Sequence, residues 1–110
     1  MQFGSSLATF VLLAFMACAK PIPPERASYV GAWEAPGMSV LITQDGSVAY
    51  NRLFGGASKQ VQGPLKSFEG NNFAVGIGFI ATTFQVSAAP HADGDAWKMT
   101  VDGVELTRKR

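Results

Sequence analysis

The sequence predicts an all-β domain, a small antiparallel meander closed into a barrel or sandwich and preceded by an N-terminal signal helix. Three observations carry this. Apolar and polar residues alternate with period two from about residue 29 onward. Turn-forming pairs such as Asp45-Gly46 and Asp102-Gly103 fall between the alternating runs. After Cys18 no stretch shows the 3.6-residue apolar period of an amphipathic helix. Many short strands with closely spaced turns make a sheet that closes on itself.

Strands are expected at 29–34, 38–43, 47–52, 59–62, 65–69, 73–80, 82–87, 96–101 and 104–107. In the second, Met38, Val40 and Ile42 share a face; in the third, Val48 and Tyr50 do. Gly63-Pro64 and Gly70-Asn71-Asn72 read as the next reversals. Between residues 73 and 80, Phe73, Val75, Ile77 and Phe79 fall on one face and Ala74, Gly76 and Gly78 on the other. A small-residue face lets a ring or another backbone come close. Phe84 and Val86 point inward in the following strand, and the run from Pro90 to Gly94 reads as a reversal. Trp97, Met99 and Val101 then alternate with Lys98, Thr100 and Asp102.

The segment before the domain carries an address. Leu7 to Ala17 is an uncharged apolar run with no Lys or Arg before Lys20, and it leads into the only cysteine, Cys18. That layout fits the core and cleavage region of an export signal. A spanning helix needs about 20 apolar residues with anchoring flanks, and this run is stopped by Lys20 and the prolines. Residues 1–19 are therefore expected to be a signal peptide, cut before Cys18 or after Ala19. Residues 20–27 follow as a tether, since three prolines among Pro21 to Pro24 favour an extended, stiff conformation. Residues 28–107 form the β domain, and Arg108, Lys109 and Arg110 form a solvated basic tail.

Charge excludes one class of partner. The domain holds four basic residues, Arg52, Lys59, Lys66 and Lys98, against seven acidic ones. A nucleic-acid platform needs clustered Lys and Arg with interleaved aromatics, so no nucleic acid is expected. With Cys18 removed or lipidated, the mature domain has no thiol chemistry and no disulfide.

Two resemblances add to this reading. Phe15-Met16-Ala17-Cys18 resembles the lipobox of bacterial lipoproteins, which implies lipidation of Cys18 and attachment to a membrane. Ala19 then stands where an aspartate would resemble an inner-membrane retention signal, which favours the outer membrane; the unlipidated alternative is periplasmic or secreted. The run Tyr29-Val30-Gly31-Ala32-Trp33 resembles the Gly-x-Trp start of lipocalins and lipocalin-like barrels. That resemblance implies a Trp33 that closes one end of the barrel and packs on a basic residue near the last strand, for which Arg108 is the counterpart. The chain is about half the length of a lipocalin, and a barrel of six-residue strands is filled by its own side chains. The layout as a whole resembles small bacterial envelope lipoproteins, a group that includes lysozyme inhibitors.

Residues that could carry chemistry are few. The one histidine, His91, lies near Asp93 and Asp95, a set whose donor types suit several metals. Three ligands on one hairpin tip without a second His or Cys read better as turn residues, so no metal and no cofactor is expected. No serine sits in a Gly-x-Ser-x-Gly elbow. Sequence alone brings no two of Glu34, Glu69 and Glu105 together as an acid pair. Gly76-Ile77-Gly78 is not followed by the helix start that a phosphate cradle needs. What remains is a binding surface at Leu53 to Ser58, where Phe54 either folds inward to cap the core or stands out for recognition, with Arg52 and Lys59 beside it. The expected role is non-catalytic: a lipid-anchored envelope module that holds a protein, glycan or lipid partner. The alternative is a miniature lipocalin-like carrier of a small apolar ligand.

Overall fold

The computed structural model describes residues 20–110. The expected signal helix, both cleavage sites and Cys18 lie outside the described residues. A 3₁₀ segment, Pro24–Tyr29, is followed by nine strands: β1 (Gly31–Ala35), β2 (Met38–Ile42), β3 (Ser47–Phe54), β4 (Ala57–Glu69), β5 (Asn72–Ile77), β6 (Ile80–Phe84), β7 (Val86–Asp93), β8 (Ala96–Val101) and β9 (Val104–Arg108). They form one sheet in the order β6-β5-β4-β3-β2-β1-β9-β8-β7, each strand antiparallel to its neighbours. The all-β antiparallel meander read from the sequence is the fold of the domain.

This order forces the sheet to curl. β6 and β7 are the two opposite edges, yet only Gln85 separates them in the chain. Consecutive Cα atoms are about 3.8 Å apart, so the edges must meet at that corner. With nine strands all antiparallel to their neighbours, β6 and β7 also run the same way. They act as one bent strand whose first half pairs with β5 and whose second half pairs with β8, and the result is a curled half-barrel.

Alternation places the core where the sequence puts it. Met38, Val40, Ile42, Val48 and Tyr50 are buried from β2 and β3, and Met99, Val101 and Leu106 from β8 and β9. Trp33, Tyr50, Phe73 and Phe84 are the largest fully buried side chains. Phe73 and Phe84 stack at 5.3 Å, and Tyr50 and Phe84 at 4.5 Å, at the separations aromatic pairs favour.

Several expectations are corrected. The runs 59–62 and 65–69 are one strand, because Gly63-Pro64 lies where β4 hands over from β3 to β5: Pro64 stands opposite Ser47, and Leu65 opposite Val75. A proline at such a handover interrupts little of the ladder. The run 73–80 is instead a hairpin. Gly78, at φ +62°, opens a two-residue turn that sends Ile80 back along Ile77, so Ile77 and Phe79 are exposed rather than inward. The run 82–87 bends at Gln85. Pro90 to Asp93 belong to β7, with the reversal one step later at Gly94; an edge strand with register shifts tolerates the proline. Trp97 lies at the start of β8, where the alternation runs past the core, and is 36 % exposed.

The two charged flanks also differ from expectation. Ile22, in the proline-rich segment, is buried in the core. Its N–H donates to the Gln44 carbonyl at 2.9 Å, and the Gln44 side-chain amide donates back to the Ile22 carbonyl at 3.2 Å. From Ile22 on, the segment is docked on the domain and is not a free spacer. The basic residues at 108–110 are stitched down as well. Arg108 closes β9, the Lys109 N–H donates to the Ala32 carbonyl at 2.7 Å, and Arg110 Nη2 donates to the Asp95 carbonyl at 2.7 Å.

Candidate functional site

One candidate cluster is organised around Trp33. Its ring is fully buried, and its Nε1 donates to the Tyr29 carbonyl at 2.9 Å. β1 and β9 pair Trp33 with Arg108, whose guanidinium carbon lies 5.6 Å from the Trp33 ring centre and 5.0 Å from that of Trp97. The sequence residues Trp33 and Arg108 are thus brought together, with Trp97 as a further aromatic partner that the alternation had assigned to the core. Gly31 makes room for the stack, since a Cβ there would sit 2.6 Å from Arg108 Cδ. The arrangement is a packing device with cation–π character.

The hairpin joining β3 and β4 presents the second set. Register puts Arg52 opposite Lys59, and the Arg52 guanidinium carbon sits 4.7 Å from the Phe54 ring centre. Phe54 is half-exposed and Leu53 more so. The inward, core-capping alternative for Phe54 is therefore overturned: β3 continues to Phe54 and carries the ring beyond the core. Beneath this hairpin, Glu34, Met38, Asn51, Arg52 and Gln60 help line an open groove of about 360 Å³. The groove mixes an apolar floor with one carboxylate and one guanidinium. Such a surface suits shape-and-charge recognition better than enclosure of a small molecule.

The His91 set does not assemble. His91 is exposed, its Nδ1 lies 2.8 Å from the Ala89 carbonyl of its own strand, and its cross-strand partner is Lys98. Asp93 instead pairs with Lys98 at 3.6 Å, and Lys98 also meets Glu105 at 3.5 Å. Asp95 offers its backbone carbonyl to Arg110. Among the described residues no three His, Cys, Asp or Glu side chains converge on a point where an ion could sit.

A polar cluster that sequence reasoning missed holds the corner between the sheet edges. The Gln85 N–H donates to Asp102 Oδ1 at 2.9 Å, and the Asp102 N–H donates to the Gln85 carbonyl at 2.7 Å. Asn72 Oδ1 accepts from the Val86 N–H at 2.7 Å, while Asn72 Nδ2 donates to Gln85 Oε1 at 3.0 Å. The Asp102-Gly103 turn signal was legible; that its carboxylate reaches across to Gln85 was not. Asp102 sits at φ +48°, a conformation Asp tolerates better than most residues.

Comparison of the chain with family models, with curated proteins and with solved structures finds no match.

Proposed function

We propose that this chain is an exported, lipid-anchored envelope protein whose domain binds a partner on its outer surface without catalysing a reaction. The observation that carries the binding reading is the filled interior. Trp33, Tyr50, Phe73, Phe84 and Met99 occupy the centre of the half-barrel with less than 2 % of their surface exposed. The depressions of note are outside it: the groove under the β3–β4 hairpin and a smaller one of about 170 Å³ beside Trp97 and Arg108. An interior packed by large side chains favours an outward-facing role over carriage of an apolar ligand. The Arg52–Phe54 hairpin is the surface best suited to it, because a guanidinium stacked on an exposed ring offers apolar area and charge together. The exposed position of His91, with a lysine opposite it, supports the non-catalytic reading.

The anchor rests on the sequence alone: the apolar run Leu7 to Ala17 and Cys18 after it. Its test is the intact mass of the mature protein from the native envelope fraction. A chain beginning at Cys18 with acyl groups is the expected result. A chain beginning at Lys20 without lipid would overturn the anchor and leave a freely diffusing exported domain.

A further inference from the structure

The proposed anchor lies next to the folded domain. Only Ala19 separates Cys18 from Lys20, a reach of about 7 Å at full extension. Lys20 is itself laid on the turn between β2 and β3, where a Cβ on Gly46 would overlap the Lys20 carbonyl. Two residues further on, Ile22 is locked into the core. Acyl chains on Cys18 thus leave no slack for a spacer, and the surface around the Gly46 turn lies at the lipid headgroups.

That surface continues to an exposed apolar tip. The Gly46 carbonyl accepts from the Leu65 N–H at 2.7 Å, where β4 hands over from β3 to β5. The next residue, Lys66, donates from its ammonium to the Gly78 carbonyl in the β5–β6 turn. Two strand spacings, about 10 Å, and the three residues from Val75 to Gly78, at most about 11 Å, separate the Gly46 turn from this tip. β5 pairs with β4 no further than Val75, which leaves the ladder of Gly76 and Ile77 to β6 alone. Here Ile77, Phe79 and Ile80 are 64 %, 94 % and 73 % exposed. From Gly70 to Ala92 the chain contains no Asp, Glu, Lys or Arg.

We infer that this tip is a second point of membrane attachment, in which Ile77, Phe79 and Ile80 enter the phospholipid interface; the inference rests on the Cys18 anchor proposed above. An exposed apolar patch of this kind marks a contact surface. The short tether selects lipid as its occupant, because it holds the tip within reach of the bilayer. Charge agrees. Lys20 and Lys66 are exposed beside this path, and ammonium groups are drawn to anionic headgroups. The Asp45 carboxylate, next to Gly46, is taken up by Thr43 and Ser47 of its own turn. Docked this way, the domain keeps its proposed partner hairpin away from the lipid. Arg52 and Phe54 lie toward the far end of β3, whose seven steps from Ser47 span about 23 Å.

The test places the full acylated chain in phosphatidylethanolamine–phosphatidylglycerol vesicles, with F79C or F54C carrying a nitrobenzoxadiazole label and doxyl lipid as quencher. Cys18 is acylated on its sulfur or removed with the signal, so the introduced thiol is the one that labels. The label at 79 is expected to shift to the blue and be quenched by doxyl lipid, while the label at 54 stays in water. An acylated chain that floats with the vesicles while the label at 79 stays in water would overturn the docking and leave the anchor standing. A blue shift at 79 without quenching would overturn it too and make the tip a protein contact, and equal quenching at both positions would overturn the orientation. A chain without acyl groups that stays out of the vesicles would overturn anchor and docking together; one that still brings the label at 79 into lipid would overturn the anchor alone.

Discussion

At the residue scale, two glycines do different work although both lie at positive φ, Gly31 at +147° and Gly76 at +144°. A Cβ on Gly31 meets the aliphatic stem of Arg108, a side chain with several rotatable bonds. A Cβ on Gly76 meets the backbone of Ile80 and Ala81, which cannot move without opening the β5–β6 hairpin. G76A should therefore cost about 2–4 kcal/mol and G31A about 1–2 kcal/mol, read from urea denaturation of the full chain. A larger loss for G31A would mean that Arg108 is held more rigidly than its stacking implies. Asp45 gives a pH prediction at the same scale. The Thr43 hydroxyl donates to its carboxylate, with further help from Ser47, and holds its pKa below the ordinary 3.8. The folded-state pKa is depressed, so the contribution is present above the unfolded-state value and is lost as pH falls through the folded one. A carboxyl titration followed by NMR should find the Asp45 midpoint below that of a free aspartate.

At the scale of elements, the corner at Gln85 decides how the sheet is held. D102A removes the acceptor for the Gln85 N–H and leaves alanine in a left-handed conformation; N72A frees the Val86 N–H. Each should cost about 1–2 kcal/mol, and because they share one corner the double variant should cost less or more than the sum. Amide exchange at Gln85 and Val86 should quicken in both, while exchange in β2 and β3 changes little. The same elements show what the sequence made legible. Val40, Ile42, Val48, Tyr50, Met99 and Val101 alternate within single strands, and local periodicity was enough to place them. Gly63-Pro64 and Ile77 to Ile80 were misread because periodicity does not say where a strand changes partner or folds back. Trp33 and Arg108 were paired through the resemblance to the lipocalin start, since seventy-five positions separate them in the chain. The Asp102–Gln85–Asn72 clasp was invisible, because its contacts span the closure of the whole sheet.

At the scale of the molecule, a chain of this size with no disulfide among its described residues folds by curling one sheet around its own aromatics. Joining the two edge strands through a single residue supplies the closure, and burying Trp33, Tyr50, Phe73 and Phe84 fills the inside. The proposed partner surface, the Arg52–Phe54 hairpin, stands on the outside of this packed sheet. Removing the ring in F54S should leave stability within about 0.5 kcal/mol of wild type, as expected of a surface position, while weakening any partner contact that uses this hairpin. The filled interior is the claim on which the outward-facing reading depends, and native mass spectrometry of the mature protein, released from its envelope in mild detergent, tests it most directly. The account predicts the mass of the chain and its covalent modifications, with nothing further retained as detergent is stripped. A stoichiometric apolar molecule that stays bound would contradict it and make the domain a carrier.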